Sequence, residues 1–235
     1  MKTGKIYLIP NLLGESNPDE IIPPHISKLV LEIKYLIVEN IRTTRRFLKT
    51  INKDVIIDEI TFFELNQHTN QNDIASFLLP AIEGNNIGII TEAGVPGVAD
   101  PGAIVVKLAH ERNIQVKPLV GPSSILMAVM AAGLNGQNFA FNGYLPITKS
   151  ERLHRIKSFE NRSKHENQAQ VFIETPYRNN GLVDDFIAAC QPNTLLCIAV
   201  DITLETEFIH TRTMREWKTN KPDLHKRPCI FIMQS

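Results

Sequence analysis

Apolar residues follow two rhythms along this chain. Short runs in which nearly every position is apolar, at 5–9, 35–38 and 87–91, alternate with longer stretches at 26–33, 42–52, 73–83 and 101–112 where apolar residues return every three or four positions. The first kind predicts strands and the second helices, because side chains alternate faces along a strand but return to one face at each helical turn. Residues 59–65 and 114–120 read as extended. Strands that are apolar on both faces, separated by helices, predict a parallel sheet covered on both sides.

After an apolar helix at 125–132 the chain turns to Gly and Asn over 133–137, which sets the expected boundary between domains at 1–134 and 135–235. The second half reads strand 139–143, helix 150–160, strand 171–174 and helix 180–190. Three strand-like runs then follow with little helix between them, at 195–200, 207–213 and 229–233, so antiparallel pairing and a mixed sheet are expected. The predicted architecture is two α/β domains, the N-terminal one on a parallel sheet and the C-terminal one on a mixed sheet.

Composition narrows the class without naming a partner. The 235 residues, 43% hydrophobic and 21% charged, suit one large or two modest globular domains and exclude a disordered chain or a coiled coil. Twenty-five Lys and Arg balance 25 Asp and Glu, so any attraction to polyanions must come from local patches. Cys190, Cys197 and Cys229 form no Cys-x-x-Cys pair, which argues against a zinc ribbon or disulfide scaffold and predicts small buried thiols. The seven histidines show no metal-ligand spacing, so no metal is expected. No apolar run approaches the ~20 residues of a membrane span, and a soluble cytoplasmic protein is expected.

Several common nucleotide and hydrolase signatures are missing. The first strand runs into Pro10-Asn11-Leu12-Leu13-Gly14 and not into the glycine fingerprint of a dinucleotide fold. The strand at 87–90 runs into Thr91-Glu92-Ala93-Gly94-Val95-Pro96-Gly97-Val98-Ala99-Asp100-Pro101-Gly102. Small residues beyond the carboxyl end of a parallel strand let a ligand lie against bare backbone, and Glu92 could accept hydrogen bonds from an amine or ribose hydroxyls. Asp100 before Pro101 reads mainly as a helix cap. Gly121-Pro122-Ser123-Ser124 opens the next helix, where hydroxyls and free amides suit a carboxylate or ribose hydroxyls, though capping alone would also explain the serines.

Between 42 and 53 lie five basic residues and no acid: Arg42, Arg45, Arg46, Lys49 and Lys53, on one helical face opposite Phe47, Leu48 and Ile51. Such a stripe can track phosphates, or be a solvated face. Lys149, Arg152, Arg155 and Lys157 form a second basic group, and the two together favour an anionic substrate.

Taken in order, Ile6-Tyr7-Leu8-Ile9-Pro10, Glu39-Asn40-Ile41-Arg42, Thr91-Glu92-Ala93-Gly94-Val95-Pro96 with Asp100-Pro101-Gly102, Gly121-Pro122-Ser123-Ser124, Gly143-Tyr144-Leu145-Pro146 and Glu174-Thr175-Pro176-Tyr177-Arg178 resemble the tetrapyrrole methylase superfamily. Within it the chain is most similar to the bacterial ribosomal RNA small-subunit methyltransferase I branch, which methylates a cytidine ribose 2′-hydroxyl. The resemblance implies a two-domain, usually homodimeric methyltransferase that binds S-adenosylmethionine in a cleft between domains. By it the cofactor meets Pro10, Glu92, Ala93, Gly94, Val95, Val98, Ser123, Ser124, Ile125, Tyr144, Leu145, Thr175 and, more loosely, Ala199.

That branch usually has Thr-Pro-Ile-Gly-Asn, Glu-Asp-Thr-Arg, Ser-Asp-Ala-Gly and Glu-Ser-Pro-His-Arg at four of these places. Here stand Pro10-Asn11-Leu12-Leu13-Gly14, Glu39-Asn40-Ile41-Arg42, Thr91-Glu92-Ala93-Gly94 and Glu174-Thr175-Pro176-Tyr177-Arg178. If the acceptor is a ribose hydroxyl, Glu39 at the end of the second strand is the expected proton acceptor, with Arg42 one turn on to hold a phosphate or carboxylate. A structural Glu39–Arg42 ion pair is the alternative. Ribosomal RNA or the small ribosomal subunit is the expected partner. Two other readings remain open: methylation of a precorrin-like macrocycle, and a non-catalytic RNA-binding protein that keeps the fold.

Overall fold

The structure, a computed structural model, describes residues 3–66 and 69–235. It contains two compact units, Met1–Ser123 and Ser124–Ser235. The first runs β1 (Lys5–Ile9), α1 (Pro18–Ile21), α2 (Pro24–Glu32), β2 (Tyr35–Val38), α3 (Ile41–Ile51), β3 (Thr61–Glu64), α4 (Gln71–Ile74), α5 (Leu79–Ile82), β4 (Ile87–Ile90), α6 (Gly102–Glu111) and β5 (Gln115–Pro118). The five strands are all parallel in the order β3-β2-β4-β1-β5.

Both faces of this sheet are covered. Ile6, Ile37 and Ile89 pack with Leu78, Val105 and Ala109 on one side, while Ile9, Leu36, Val38 and Ile90 pack with Ile26, Val30 and Leu48 on the other. Alternation along the inner strands thus feeds two half-cores, which is why β2 and β4 carry no polar face, while the edge strands β3 and β5 keep exposed polar residues. The register sets Ile9, Ile90 and Val38 level. The residues just beyond them, Pro10, Thr91 and Glu39, therefore emerge at one carboxyl edge, where open α/β sheets hold their ligands.

The expected helix over 73–83 is broken. A 3₁₀ turn at Ala75–Leu78 separates α4 from α5, and Pro80 stands in the first turn of α5. A proline has no N–H for the preceding turn but suits a helix start, so the chain restarts there. The extended run over 59–65 shortens to β3 behind a 3₁₀ turn at Ile57–Glu59.

The second unit runs α7 (Ser124–Ala132), β6 (Phe139–Tyr144), α8 (Lys149–Glu166), β7 (Ala169–Ile173), α9 (Asn179–Ala189), β8 (Leu195–Val200), β9 (Phe208–Thr213), α10 (Met214–Thr219) and β10 (Cys229–Gln234). Its sheet has the order β6-β7-β10-β8-β9, with β6 and β7 parallel and the other pairs antiparallel. Phe172, Phe186, Phe231 and Trp217 fill its core, and the Trp217 indole N–H donates to the carbonyl of Leu196 at 2.8 Å. Helix α10 was absent from the sequence reading although Thr213 and Glu216 form a reciprocal capping box, a local signature visible in the sequence. Helix α8 runs past the expected residue 160 to a left-handed cap at Asn167.

The division between units falls before α7 and not after it, as the Gly-rich segment had suggested. The hydroxyl of Thr211 in β9 donates to the carbonyl of Ala132 at 2.6 Å, joining the end of α7 to the second sheet. Among the described residues no helix is long and apolar enough to cross a membrane.

Candidate functional site

The carboxyl edge of the first sheet gathers two carboxylates. Glu39 directly follows β2, and its Oε1 accepts both the Thr91 hydroxyl and the Glu92 backbone N–H, the latter at 3.1 Å. Its second oxygen has no protein partner among the described residues. Glu92 is itself held by Thr43 on the first turn of α3, whose hydroxyl donates to Glu92 Oε1 at 2.5 Å. That turn is fixed by Asn40, whose side-chain oxygen accepts the N–H groups of Arg42 and Thr43 at 2.9 and 3.3 Å. No ion pair joins Glu39 to Arg42, so the structural alternative for that pair is not what the fold uses.

Asn11 ties the loop after β1 to the loop after β4. Its amide donates to the carbonyls of Thr91 at 2.8 Å and Glu92 at 3.1 Å, and its backbone N–H donates to Gly94 at 2.8 Å. A buried asparagine with its polar atoms satisfied in this way is a structural clamp. Gly94 lies at φ +73 beside the Leu13 side chain, and Gly121 stands against the ring of Pro10, so the missing Cβ atoms let the loops at this edge approach closely.

Asp100 caps the loop's far end. Its oxygens accept the N–H groups of Gly97 at 2.7 Å and Gly102 at 2.6 Å. Burial pushes its carboxyl above the ordinary aspartate range, those backbone N–H groups oppose the rise, and the charge of Glu39 adds to it. A niche of about 10 Å³, room for one water, is lined by Glu39, Thr91, Asp100 and Gly102.

The other expected contacts in this unit have varied exposure. Pro10 and Gly94 are buried, Val95 and Ser123 half-buried, and Glu92, Ala93 and Val98 exposed. In the second unit Ser124 and Ile125 open α7 and are half-buried, Tyr144 at the end of β6 is exposed, and Leu145 is core. Thr175 is exposed just beyond β7, its N–H on the Glu174 carboxylate at 2.6 Å. Ala199 lies in one cross-strand row with Tyr144, Ile173, Ile230 and Ile209 and is fully buried, so its side chain presents no surface to a ligand there.

The two basic groups prove different in kind. Arg42, Arg45, Arg46, Lys49 and Lys53 are all exposed, and none pairs with a carboxylate among the described residues. Arg45 lies over the Phe62 ring at 5.4 Å and the Lys49 ammonium donates to the Lys53 carbonyl at 2.9 Å, leaving the Arg42 and Arg46 guanidinium groups without protein partners among the described residues. In the second group Arg152 pairs with the buried Asp185 at 2.7 Å and donates to the carbonyls of Pro146 and Ile147, while Arg155 covers the Phe159 ring at 4.8 Å. Those two cations hold their own unit together.

Sequence reasoning missed Thr43, Thr91 and Asn11 as members of the site. The cap signal of Asn40 was present locally, but the partners of Thr43 and Thr91 lie 49 and 52 residues away in sequence. Among the described residues no cluster of three or more His, Cys, Asp or Glu is placed to hold a metal.

Two α/β units, one wholly parallel and one mixed, with an open small-residue loop at the carboxyl edge of the first, define the fold of the tetrapyrrole methylases. Solved structures share it: the methyltransferase CobJ superposes with a TM-score of 0.64 at 14% identity, covering 99% of this chain and 95% of that one. Uroporphyrin-III C-methyl transferase from Thermus thermophilus, complexed with S-adenyl homocysteine, gives 0.53 at 14% identity over 99% and 98%. No family model matches the chain. Among curated proteins, ribosomal RNA small subunit methyltransferase I from Buchnera aphidicola subsp. Schizaphis graminum is 29% identical, over 99% of this chain and 78% of its own length. The protein of that name from Streptococcus pyogenes serotype M6 is 30% identical over 86% and 66%. This chain belongs to the tetrapyrrole methylase superfamily and is an S-adenosylmethionine-dependent methyltransferase.

Proposed function

We propose that the methyl acceptor is ribosomal RNA of the small subunit, and that the atom methylated is the ribose 2′-oxygen of a cytidine. The observation that carries this reading is the exposed cation face of α3, which pairs with no carboxylate among the described residues, begins one turn beyond Glu39 and suits a run of phosphates. The names of the relatives, which match over nearly the whole chain, support the same substrate class. A macrocycle with a few carboxylates would have no use for so long a track.

The residues of the first unit fit the cofactor. The open Glu92 oxygen and the bare backbone at Ala93 and Gly94 suit ribose hydroxyls and an adenosine face, with Pro10, Val95, Val98 and Ser123 beside them. Ser124, Ile125, Tyr144, Leu145, Thr175 and, through its backbone only, Ala199 are assigned to the cofactor by the family resemblance alone. When bound, S-adenosylmethionine supplies an already activated methyl group, so the protein's work is alignment and exclusion of water. Glu39 takes the proton of the attacking hydroxyl on its open oxygen, and Arg42 holds an adjacent phosphate. The protein acts as a cytoplasmic homodimer in this reading.

Tritiated S-adenosylmethionine should be offered with small-subunit particles from a strain lacking the gene, and separately with a uroporphyrinogen-type macrocycle. Label in RNA, located by mass spectrometry on a cytidine ribose, is the expected result. Label on a base or in the macrocycle overturns the acceptor assignment, and label in neither overturns it in favour of another acceptor.

A further inference from the structure

We propose that Thr91 is a positioning residue for the proton acceptor, setting the Glu39 carboxylate so that one oxygen faces the acceptor hydroxyl. The inference rests on the reading of Glu39 as the base. A glutamate that follows a strand end has three side-chain torsions and samples many rotamers unless something holds its head group. Here both contacts land on the same oxygen: the Thr91 hydroxyl and the Glu92 N–H both donate to Oε1. Two donors on one oxygen orient the carboxylate plane and leave Oε2 as the open acceptor.

Thr91 is itself immobilised. It directly follows the central strand β4, is 6% exposed, and its carbonyl accepts the Asn11 amide at 2.8 Å. The hydroxyl therefore projects from a point fixed by the sheet and by a buried clamp, and the same Asn11 amide holds the carbonyl of Glu92, the second donor, at 3.1 Å. Of the two donors, only the Thr91 hydroxyl belongs to a side chain that a substitution can remove. Catalytic groups gain their effect from being held near the productive geometry, so losing that donor should act on the chemical step more than on binding.

The measurement is single-turnover methylation of small-subunit particles from a strain lacking the gene, with S-adenosylmethionine affinity read by calorimetry on the same samples as the control for folding. Thr91→Val, which keeps the side-chain shape and removes the donor, should lower the rate about tenfold or more while cofactor affinity stays within about twofold. Thr91→Ser, which restores the hydroxyl, should return the rate to within about threefold of the parent. Glu39→Gln combined with Thr91→Val should be no slower than Glu39→Gln alone, because a residue acting through Glu39 is silent once Glu39 is gone. Rate losses that multiply in the double variant, or a Thr91→Val rate near parental, overturn the positioning role alone. Parental turnover by Glu39→Gln removes the base assignment, and this proposal with it.

Discussion

Gly121 lies against the ring of Pro10: a Cβ placed on Gly121 would fall 2.2 Å from the Cβ and Cγ of Pro10. Pro10 follows β1 and Gly121 lies beyond β5, which pair in parallel, so this contact closes the carboxyl edge between them. Gly121→Ala forces one loop to move and should cost about 1–3 kcal/mol. Urea unfolding checks the stability loss, and a midpoint unchanged from the parent would show that the loops yield freely.

Gly94 poses a different problem, because its φ of +73 is a conformation that L side chains rarely adopt. Gly94→Val is expected to lose about 1–3 kcal/mol from backbone strain and to weaken S-adenosylmethionine binding. Gly94→Asn tolerates the left-handed backbone better, so it should recover stability while still obstructing the ligand. Calorimetry on folded Gly94→Asn separates the two effects, and parental affinity there would exclude this loop from the cofactor site.

The α3 stripe makes a salt-dependence prediction. Arg42 and Arg46 are its guanidinium groups without protein partners among the described residues. Each phosphate contact with single-stranded RNA contributes about −0.7 to the slope of log affinity against log salt. Changing both to Gln should therefore reduce the slope by about 1.4 and leave S-adenosylmethionine affinity unaltered. Filter binding of a ribosomal RNA fragment across a salt series reads this directly, and equal slopes would mean that the stripe is only solvated.

Arg152 should behave as a structural residue. Its guanidinium pairs at 2.7 Å with Asp185, whose side chain is 4% exposed, while Lys149 reaches Asp185 only at 3.7 Å from a largely exposed position. Arg152→Ala leaves a buried carboxylate with one distant cation and should destabilise the protein by about 3 kcal/mol. Thermal unfolding checks it, and a loss of RNA binding with stability intact would contradict it.

The thiols supply a pH test. Burial pushes Cys229 up to about 12, the nearby Asp201 charge adds to the rise, and Arg227 opposes it. Burial likewise raises Cys190, with Glu160 adding to it, and Cys197. A raised folded value means that the folded state holds the proton more tightly than the unfolded chain. These groups therefore stabilise the fold fully below the ordinary thiol range and lose that contribution as pH climbs from there toward the raised values. Urea midpoints should fall over that alkaline window, and the native protein at pH 8 should resist a thiol reagent that labels the unfolded chain. Rapid labelling of native protein would place the thiols elsewhere.

Periodicity and punctuation are local properties, and what depended on them was legible in the sequence. The order of strands and helices, the parallel first sheet and the mixed second one all follow from which positions are apolar and how the chain turns between them. The family resemblance was legible too, since its motifs are short contiguous runs at strand ends. What only the tertiary structure decided is which side chains meet. Asp185 captures Arg152 from 33 residues away and removes it from any ligand surface, whereas no carboxylate among the described residues captures Arg42 or Arg46. Thr91 finds Glu39 across 52 residues, and Asn11 finds Thr91 across 80, because sheet order sets β4 between β1 and β2. Sequence spacing carries the rhythm of each element but not its neighbours; adjacency in a sheet is settled by which apolar faces can be buried together, and the site inherits its partners from that choice.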